Sequence, residues 1–333
     1  MSNYGNDVAE GTTAQHGPAR GALFALAKFR PMTLPASLVT RPVLHDRLQA
    51  GAGQRLTVVV GPAGAGKSVL LSSWAAARPP GSTSWLSCDT ADVNPVRFWA
   101  GFIEALRVIA PWFGADAADL LAMDRAMSAD VIASITNDAA RLPAGSAVIV
   151  DDFHIAAAAV AGHMADLVER WPAETAQLVL ASRSDPPVRL HRLRMAGELC
   201  ELRDHDLRFS LAESRALLGS FGVEIAAEQL ALLHERSEGW AAALQMAALS
   251  LRGTADPVHI AQTLDMRSYT IAEYFVAEVL DQQPSEVAQF MLDTSILGEL
   301  TADACTAIIA QPDAVSSPRI EVTSMNWATS EGC

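Results

Sequence analysis

Lysine is scarce in this sequence, and positive charge as a whole is outweighed by negative charge. Lys28 and Lys67 are the only lysines among 24 basic residues, and 38 acidic residues bring the formal net charge to −14. Contacts with a nucleic-acid backbone require many Lys and Arg side chains, because each neutralised phosphate needs a cation. A charge of this sign therefore argues against a large nucleic-acid interface in this chain.

Cysteine is also rare. The four cysteines lie far apart, at Cys88, Cys200, Cys305 and Cys333. None of them belongs to a Cys-x2-Cys pair or to a Cys/His ligand pattern, so we expect neither structural zinc nor a disulfide framework. Reduced, buried thiols are the prediction.

Long apolar runs and a targeting segment are missing as well. The longest strongly apolar stretch, residues 239–251, is shorter than the roughly 18 residues that span a membrane, and it contains Gln245. The N-terminus carries Asp7 and Glu10 and lacks the apolar core of a signal peptide. We expect a soluble cytoplasmic protein with no membrane partner.

One stretch concentrates glycines around the second lysine. A β-branched apolar run at residues 56–60 leads into the spacing Gly-x4-Gly-Lys-Ser and then into an apolar helical pattern. The turn consists of Gly61, Pro62, Ala63, Gly64, Ala65, Gly66, Lys67 and Ser68. Its glycines allow backbone N–H groups to wrap an anion, and the following helix directs its positive end toward that anion. We predict nucleotide binding rather than a plain glycine-rich turn, with Lys67 on the β- and γ-phosphates and Ser68 on Mg²⁺.

Polar residues follow two later apolar runs, at the points where parallel strands would end. Asp151 and Asp152 follow residues 147–150, and Arg183 follows residues 177–182. Ligands of open α/β sheets lie outside the carboxyl ends of the strands. We predict that Asp151 holds Mg²⁺, that Asp152 polarises an attacking water, and that Arg183 senses the γ-phosphate. The alternatives are a strand that simply leads into a turn for the two carboxylates, and a surface ion pair for Arg183.

Two other features allow more than one interpretation. The proline-rich segment Lys28–Leu48 either lies against the base of a bound nucleotide, with Arg41 as a nucleotide contact, or is an ordinary entry into the domain. His154 follows the carboxylates closely and is interpreted as a packing or hydrogen-bonding residue rather than a catalyst.

The apolar pattern predicts the fold class. Continuously apolar runs alternate with helical patterns up to about residue 205, which indicates an α/β fold with a parallel sheet covered by helices on both faces. From about Leu207 the patterns are helical only, and Ser210–Glu213 is a capping box that opens one helix. After about Gln311 the periodicity ends.

The order of these motifs resembles the nucleotide-binding module of the MalT-like, large ATP-binding LuxR-type transcriptional regulators, a branch of the STAND class of P-loop NTPases. The similarity extends from about Lys28 to Ile308. The stretches that carry it are residues 28–31 with 38–42, 61–68, 151–154, 181–187, 201–203 with 206–209, and 238–245.

The resemblance implies a domain order. A disordered tail at residues 1–27 would precede a P-loop nucleotide-binding domain at 28–205. A helical domain at 206–262 and a partial winged-helix domain at 263–310 would follow. Residues 311–333 do not resemble the family and would form an irregular tail.

The resemblance also implies a signal-transduction switch that rests with ADP, exchanges it for ATP and self-associates in the ATP state. ATP hydrolysis would be slow and dependent on Mg²⁺, with the residues assigned above in their stated roles. The Glu238-Gly239-Trp240 turn matches a family signature near the nucleotide, although a helix–helix corner with a core Trp is the alternative. Family members are several times longer, and their inducer sensor and DNA-binding helix-turn-helix have no counterpart here. DNA is therefore expected as a partner only through domains absent from this chain.

Two other functions remain as alternatives at the level of sequence. One is a stand-alone P-loop enzyme, for which rapid turnover stimulated by a small acceptor would be expected. The other is a truncated, non-functional remnant, whose melting temperature would not respond to ADP.

Overall fold

The first of two compact units contains a parallel sheet. The computed structural model describes residues 24–124, 128–252, 285–294, 301, 305–306 and 308. The strands of the sheet are β1 (Leu56–Val60), β2 (Thr83–Ser87), β3 (Ser146–Asp151), β4 (Ala176–Ser182) and β5 (Leu199–Leu202). The strand order is β2-β3-β4-β1-β5, and every pairing is parallel. Every residue of β1, β3 and β4 is buried, because their Val, Ile and Leu side chains meet helices on both faces.

Helices surround this sheet in the first unit, which covers residues up to 34, 41–60 and 67–203. They are α1 (Pro42–Ala50), α2 (Lys67–Ala76), α3 (Pro95–Leu106), α4 (Ala115–Asp124), α5 (Ala129–Ala139), α6 (Ala157–Arg170) and α7 (Leu190–Ala196). One face of α3 places Phe98, Trp99 and Phe102 in the core. The burial of such large side chains contributes about 1.5–3 kcal/mol each to the stability of this unit.

The second unit is helical and covers residues 35–40, 61–66 and 204 onward. Its described helices are α8 (Asp204–Leu207), α9 (Leu211–Ser220), α10 (Ala227–Ser237), α11 (Ala241–Leu251) and α12 (Ser285–Thr294). The predicted capping box at the start of α9 is confirmed. Ser210 Oγ accepts from the Glu213 N–H at 3.2 Å, and the Glu213 carboxylate accepts from the Ser210 N–H at 2.7 Å. Apolar residues of α9, α10 and α11 form a separate core.

The sheet and the alternation of strands and helices confirm the predicted fold class, and one detail differs. Strand β5 was not predicted, because its sequence Leu-Cys-Glu-Leu is short and the strand is only partly buried at the sheet edge. Near the start of the described residues, Leu26–Phe29 form a 3₁₀ helix and Phe24 packs edge-on against Phe29 at 5.6 Å.

The predicted domain boundaries after residues 27, 205, 262 and 310 stay predictions. The apolar positions Ile271, Phe275 and Val279, which fit one helical face, lie outside the described residues. The same holds for the predicted irregular tail.

Candidate phosphate-binding site

The glycine-rich loop has the backbone that its sequence predicts. Gly64 and Gly66 have φ values of 70° and 85°, a left-handed conformation that side chains with a Cβ rarely adopt. At Gly61 a Cβ would lie 2.9 Å from Leu207 Cδ1, the far end of a flexible side chain that could shift. The loop conformation thus depends on glycine at Gly64 and Gly66.

Two carbonyl groups of the loop are held by the start of α11. The Trp240 indole N–H donates to the Ala63 carbonyl at 3.1 Å, and the Ala242 N–H donates to the Gly64 carbonyl at 3.1 Å. In a trans peptide the carbonyl and the next N–H point to opposite sides. The N–H of Gly64 is therefore turned away from Trp240, as a loop that binds an anion requires.

Helix α2 begins at the lysine that ends the loop motif. Lys67 is the first residue of this ten-residue helix, and only 6% of Lys67 is exposed. The N-terminus of a helix carries partial positive charge, so Lys67 and the first turn of α2 together favour an anion. Ser68 follows, and its side chain forms a hydrogen bond with Asp151.

Asp151 ends strand β3 and is a buried carboxylate with 4% of its surface exposed. Burial, and to a smaller extent the neighbouring charge of Asp152, raise its pKa to about 6. The Ser68 hydroxyl, the Asp152 N–H at 3.0 Å and the charge of Lys67 stabilise the ionised form only in part. A buried carboxylate whose negative charge is only partly compensated is suited to bind a cation.

Asp152 adopts a backbone conformation that is uncommon for residues with a Cβ, although Asp adopts it more often than most. Its φ is 52°, in the left-handed region, which costs a residue with a Cβ about 1–2 kcal/mol. This conformation ends β3 and starts the 3₁₀ helix Phe153–Ile155. Strained residues of this kind are frequent at functional sites.

His154 and Arg183 lie near these acids. Burial lowers the pKa of His154, the charge of Asp152 raises it, and the charges of Arg183 and Lys67 lower it further. His154 Nδ1 is buried without a hydrogen-bond partner among the residues described. Arg183 directly follows β4, so it emerges at the same edge of the sheet as Asp151. The first unit thus brings Lys67, Ser68, Asp151, Asp152 and Arg183 together, and the roles assigned to them stay predictions.

Arg41 is the remaining predicted site residue. It is 9% exposed and precedes α1, where its carbonyl accepts hydrogen bonds from the N–H groups of Leu44 and His45, both at 3.1 Å. This position fixes the start of α1. A nucleotide contact by the Arg41 side chain stays a prediction.

A buried ion pair at the end of the neighbouring strand β2 was not predicted from the sequence. Lys28 Nζ contacts the carboxylate of Asp92, which is fully buried, and lies 2.8 Å from Asp89 Oδ2. Cys88 lies beside this group. Its N–H donates to the Asp151 carbonyl at 2.9 Å, while burial and then the charge of Asp92 raise the pKa of its thiol. The signal available in the sequence was the rarity of lysine. One of only two lysines in a chain is a candidate for a specific acidic partner.

Magnesium is the metal that these residues suit. Mg²⁺ prefers oxygen ligands and is held by one or two protein oxygens together with phosphate and water. The Ser68 hydroxyl and the Asp151 carboxylate provide two such oxygens at the carboxyl end of the sheet. No group of three or more His, Cys, Asp or Glu residues within the described part of the chain suggests an all-protein metal centre.

Known proteins resemble this chain both in sequence and in structure. The model described as the MalT winged helix domain matches residues 276–317. The serine/threonine-protein kinase PknK of Mycobacterium tuberculosis is 32% identical over 278 residues, which cover 81% of this chain and 25% of PknK. The HTH-type transcriptional regulator MalT of Cronobacter sakazakii is 28% identical over 273 residues, which cover 80% of this chain and 30% of that regulator.

A solved structure resembles the chain as well. A Walker-type ATPase of Pyrococcus abyssi has a TM-score of 0.53 and 15% identity, and the match covers 84% of this chain and 86% of the ATPase. Because the two sequences are only 15% identical, the similarity establishes the fold alone, which is the α/β fold of a P-loop NTPase.

The sequence relatives narrow this class further. Over about 80% of its length the chain is similar to the MalT-like STAND P-loop NTPases, so the resemblance seen in the sequence is confirmed. The chain spans between 25% and 30% of the length of the curated relatives that it matches. In the described part of the chain, no helix is both long and apolar enough to cross a membrane.

Proposed function

We propose that this chain binds ATP and ADP together with Mg²⁺ and acts as a signal-transduction switch. One observation carries the proposal: Ser68, which ends the phosphate-loop motif, is hydrogen-bonded to the buried Asp151 beside Lys67. A hydroxyl, a carboxylate and a lysine in this order are the groups that P-loop NTPases use for the metal and the phosphates.

Each side chain has a role in this proposal. Lys67 and the N–H groups of the loop bind the β- and γ-phosphates. Ser68 and Asp151 would hold Mg²⁺, which neutralises charge on the phosphates when it is bound. Asp152 orients the water that attacks the γ-phosphate, and Arg183 contacts the γ-phosphate, so that ATP is distinguished from ADP. Arg41 contacts the nucleotide from the segment that precedes α1.

The output of the site is a conformation rather than a product. The names of two relatives describe a transcriptional regulator and a serine/threonine-protein kinase, and a switch would suit either. A switch requires each nucleotide state to persist, so we expect slow ATP hydrolysis and self-association in the ATP state. DNA binding would belong to other parts of a longer regulator.

Removal of Lys67 tests the proposal. We expect Lys67→Ala to weaken ATP and ADP binding at least about tenfold, because the phosphates lose a buried cation. Isothermal titration calorimetry on the purified 333-residue chain measures the affinities. Arg192→Ala removes an exposed cation on α7 and is the control. Equal nucleotide binding by the Lys67→Ala variant and the unmodified chain would contradict the proposal.

The rate of hydrolysis separates the switch from a stand-alone enzyme. Asp152→Asn is expected to lower the slow ATPase rate and to leave the affinity for ADP within about twofold, because the residue acts on the attacking water. Rapid turnover that a small acceptor stimulates would favour an enzyme instead.

A further inference from the structure

The contacts between α11 and the phosphate loop assign a role to a residue far from the phosphate-loop motif. We propose that Trp240 is a positioning residue, which holds the loop in the conformation that binds phosphate. Nucleotide affinity then depends on the turn between α10 and α11. The inference rests on the proposed nucleotide-binding function and deepens it.

The orientation of one peptide group carries the first step. The Trp240 indole N–H donates to the Ala63 carbonyl at 3.1 Å, which fixes the plane of the peptide between Ala63 and Gly64. Because this peptide is trans, its N–H points to the opposite face of the loop. The Ala242 N–H holds the next carbonyl, that of Gly64, at 3.1 Å. Gly64 has a positive φ and no side chain, so its backbone could rotate with little steric resistance if the hydrogen bonds from Trp240 and Ala242 were lost.

The turn that presents Trp240 is itself rigidly built. Glu238 and Gly239 both have positive φ values, 49° and 71°. A Cβ on Gly239 would lie 2.5 Å from the Phe209 carbonyl oxygen, and the Phe209 N–H donates to the Gly239 carbonyl at 2.8 Å. The Trp240 N–H donates to the Ser237 carbonyl at 2.8 Å. The indole is therefore held in place before any ligand binds.

An ion-pair bridge adds to this rigidity from the side of α8. Arg208 pairs with the Glu238 carboxylate at 2.7 Å and with the Asp204 carboxylate at 3.2 Å. Glu238 is thereby tied to α8, although its side chain is exposed and the pair contributes little to stability by itself.

Coupling between the turn and the loop works in both directions. If the docked turn raises the affinity of the loop for phosphate, a bound phosphate must stabilise the docked turn by the same factor. Phosphate occupancy would thus be transmitted to α11 through two backbone carbonyls. The carbonyl side of the loop carries this coupling, while the N–H side binds the nucleotide.

Trp240→Phe is the decisive variant, because it keeps an aromatic ring and removes the donor. We expect ADP and ATP to bind about three- to tenfold more weakly, the usual effect of losing one hydrogen bond. Trp171→Phe is a matched control. The Trp171 indole N–H donates to the Ala176 carbonyl at 2.6 Å, a bond that does not involve the loop. Its nucleotide affinity should stay within about twofold of the unmodified chain.

A second measurement separates positioning from a loss of stability. Amide hydrogen exchange at residues 238–243 should slow on addition of ADP in the unmodified chain and slow less in Trp240→Phe. Thermal unfolding of both variants establishes how far each is destabilised. A Trp171→Phe variant that loses as much affinity as Trp240→Phe would point to a merely structural effect and overturn the inference.

The inference and the proposed function fail in different ways. If the unmodified chain binds ADP and Trp240→Phe binds it equally well, the inference is wrong and the nucleotide function stands. If the unmodified chain binds no nucleotide, the proposed function itself is contradicted, and the inference falls with it.

Discussion

Opposing influences act on the Asp151 carboxylate, and their net effect is a pKa raised to about 6. Burial and the charge of Asp152 raise this pKa, whereas the Ser68 hydroxyl and the charge of Lys67 favour ionisation. At neutral pH the group is ionised and incompletely compensated. Such a residue lowers the stability of the nucleotide-free chain, which is a common cost of a functional site.

Replacement of Asp151 by Asn should therefore stabilise the nucleotide-free chain. The native pKa lies above the unfolded value of 3.8, so the native state binds more protons between about pH 4 and pH 6. Stability contributed by this group is present at low pH and is lost as the pH rises through about 6. We expect Asp151→Asn to raise the free energy of unfolding by up to about 3 kcal/mol at pH 7.5, and by much less at pH 4.

Urea unfolding at the two pH values measures this effect. Asp185→Asn removes a carboxylate that is largely exposed and pairs with Arg203, and it serves as the control. A stabilisation of equal size at both pH values would contradict the explanation by a raised pKa.

A short segment that precedes the sheet in the chain is connected to it by a buried ion pair. The 3₁₀ helix Leu26–Phe29 belongs to the first unit, and its Lys28 reaches the carboxylates of Asp89 and Asp92 beyond β2. Asp89 and Asp92 also form the capping box of the 3₁₀ helix Thr90–Val93. A single side chain thus connects the entry segment to the edge of the sheet that carries the candidate site.

Removal of this lysine should destabilise the first unit strongly. Lys28→Met leaves Asp92 as a buried charge without its cation, and breaking a buried pair in this way costs about 3–5 kcal/mol. The free energy of unfolding in urea measures the loss. The double variant Lys28→Met with Asp92→Leu should recover much of it, because neither charge then remains buried.

An exposed ion pair of the same unit provides the comparison. Arg194 and Glu201 are 2.8 Å apart, and Arg194 is largely exposed. Arg194→Met is expected to cost far less stability than Lys28→Met, because solvent screens an exposed pair. Equal losses of unfolding free energy for Lys28→Met and Arg194→Met would show that burial does not determine how much each ion pair contributes to stability.

The whole molecule should respond to nucleotide as a folded, ligand-binding protein. A ligand that binds only the native state stabilises it by about 2.7 kcal/mol when present at 100 times its Kd. We expect ADP with Mg²⁺ to raise the melting temperature of the unmodified chain and to have little effect on Lys67→Ala. Differential scanning fluorimetry over a series of ADP concentrations measures this, and an unchanged melting temperature would favour the non-functional alternative.

Local patterns in the sequence were sufficient to predict most of the sheet and to locate the candidate-site residues at the ends of its strands. Strands β1, β3 and β4 are continuous apolar runs, a signal that is hard to mistake in an alternating pattern. Loop glycines, the Lys-Ser pair and the acids after β3 are likewise visible as short motifs. Strand β5 was missed because Cys200 and Glu201 interrupt its apolar pattern at an exposed edge.

Only the tertiary structure decided which distant groups control these motifs. Trp240 is separated by 177 residues from the carbonyl that it holds, and Lys28 by 64 from Asp92. Composition and periodicity report the local backbone and the burial of a segment, because neighbouring residues determine both. Partners across such distances, and the pKa that burial gives Asp151, arise only when the chain packs and excludes water from particular groups.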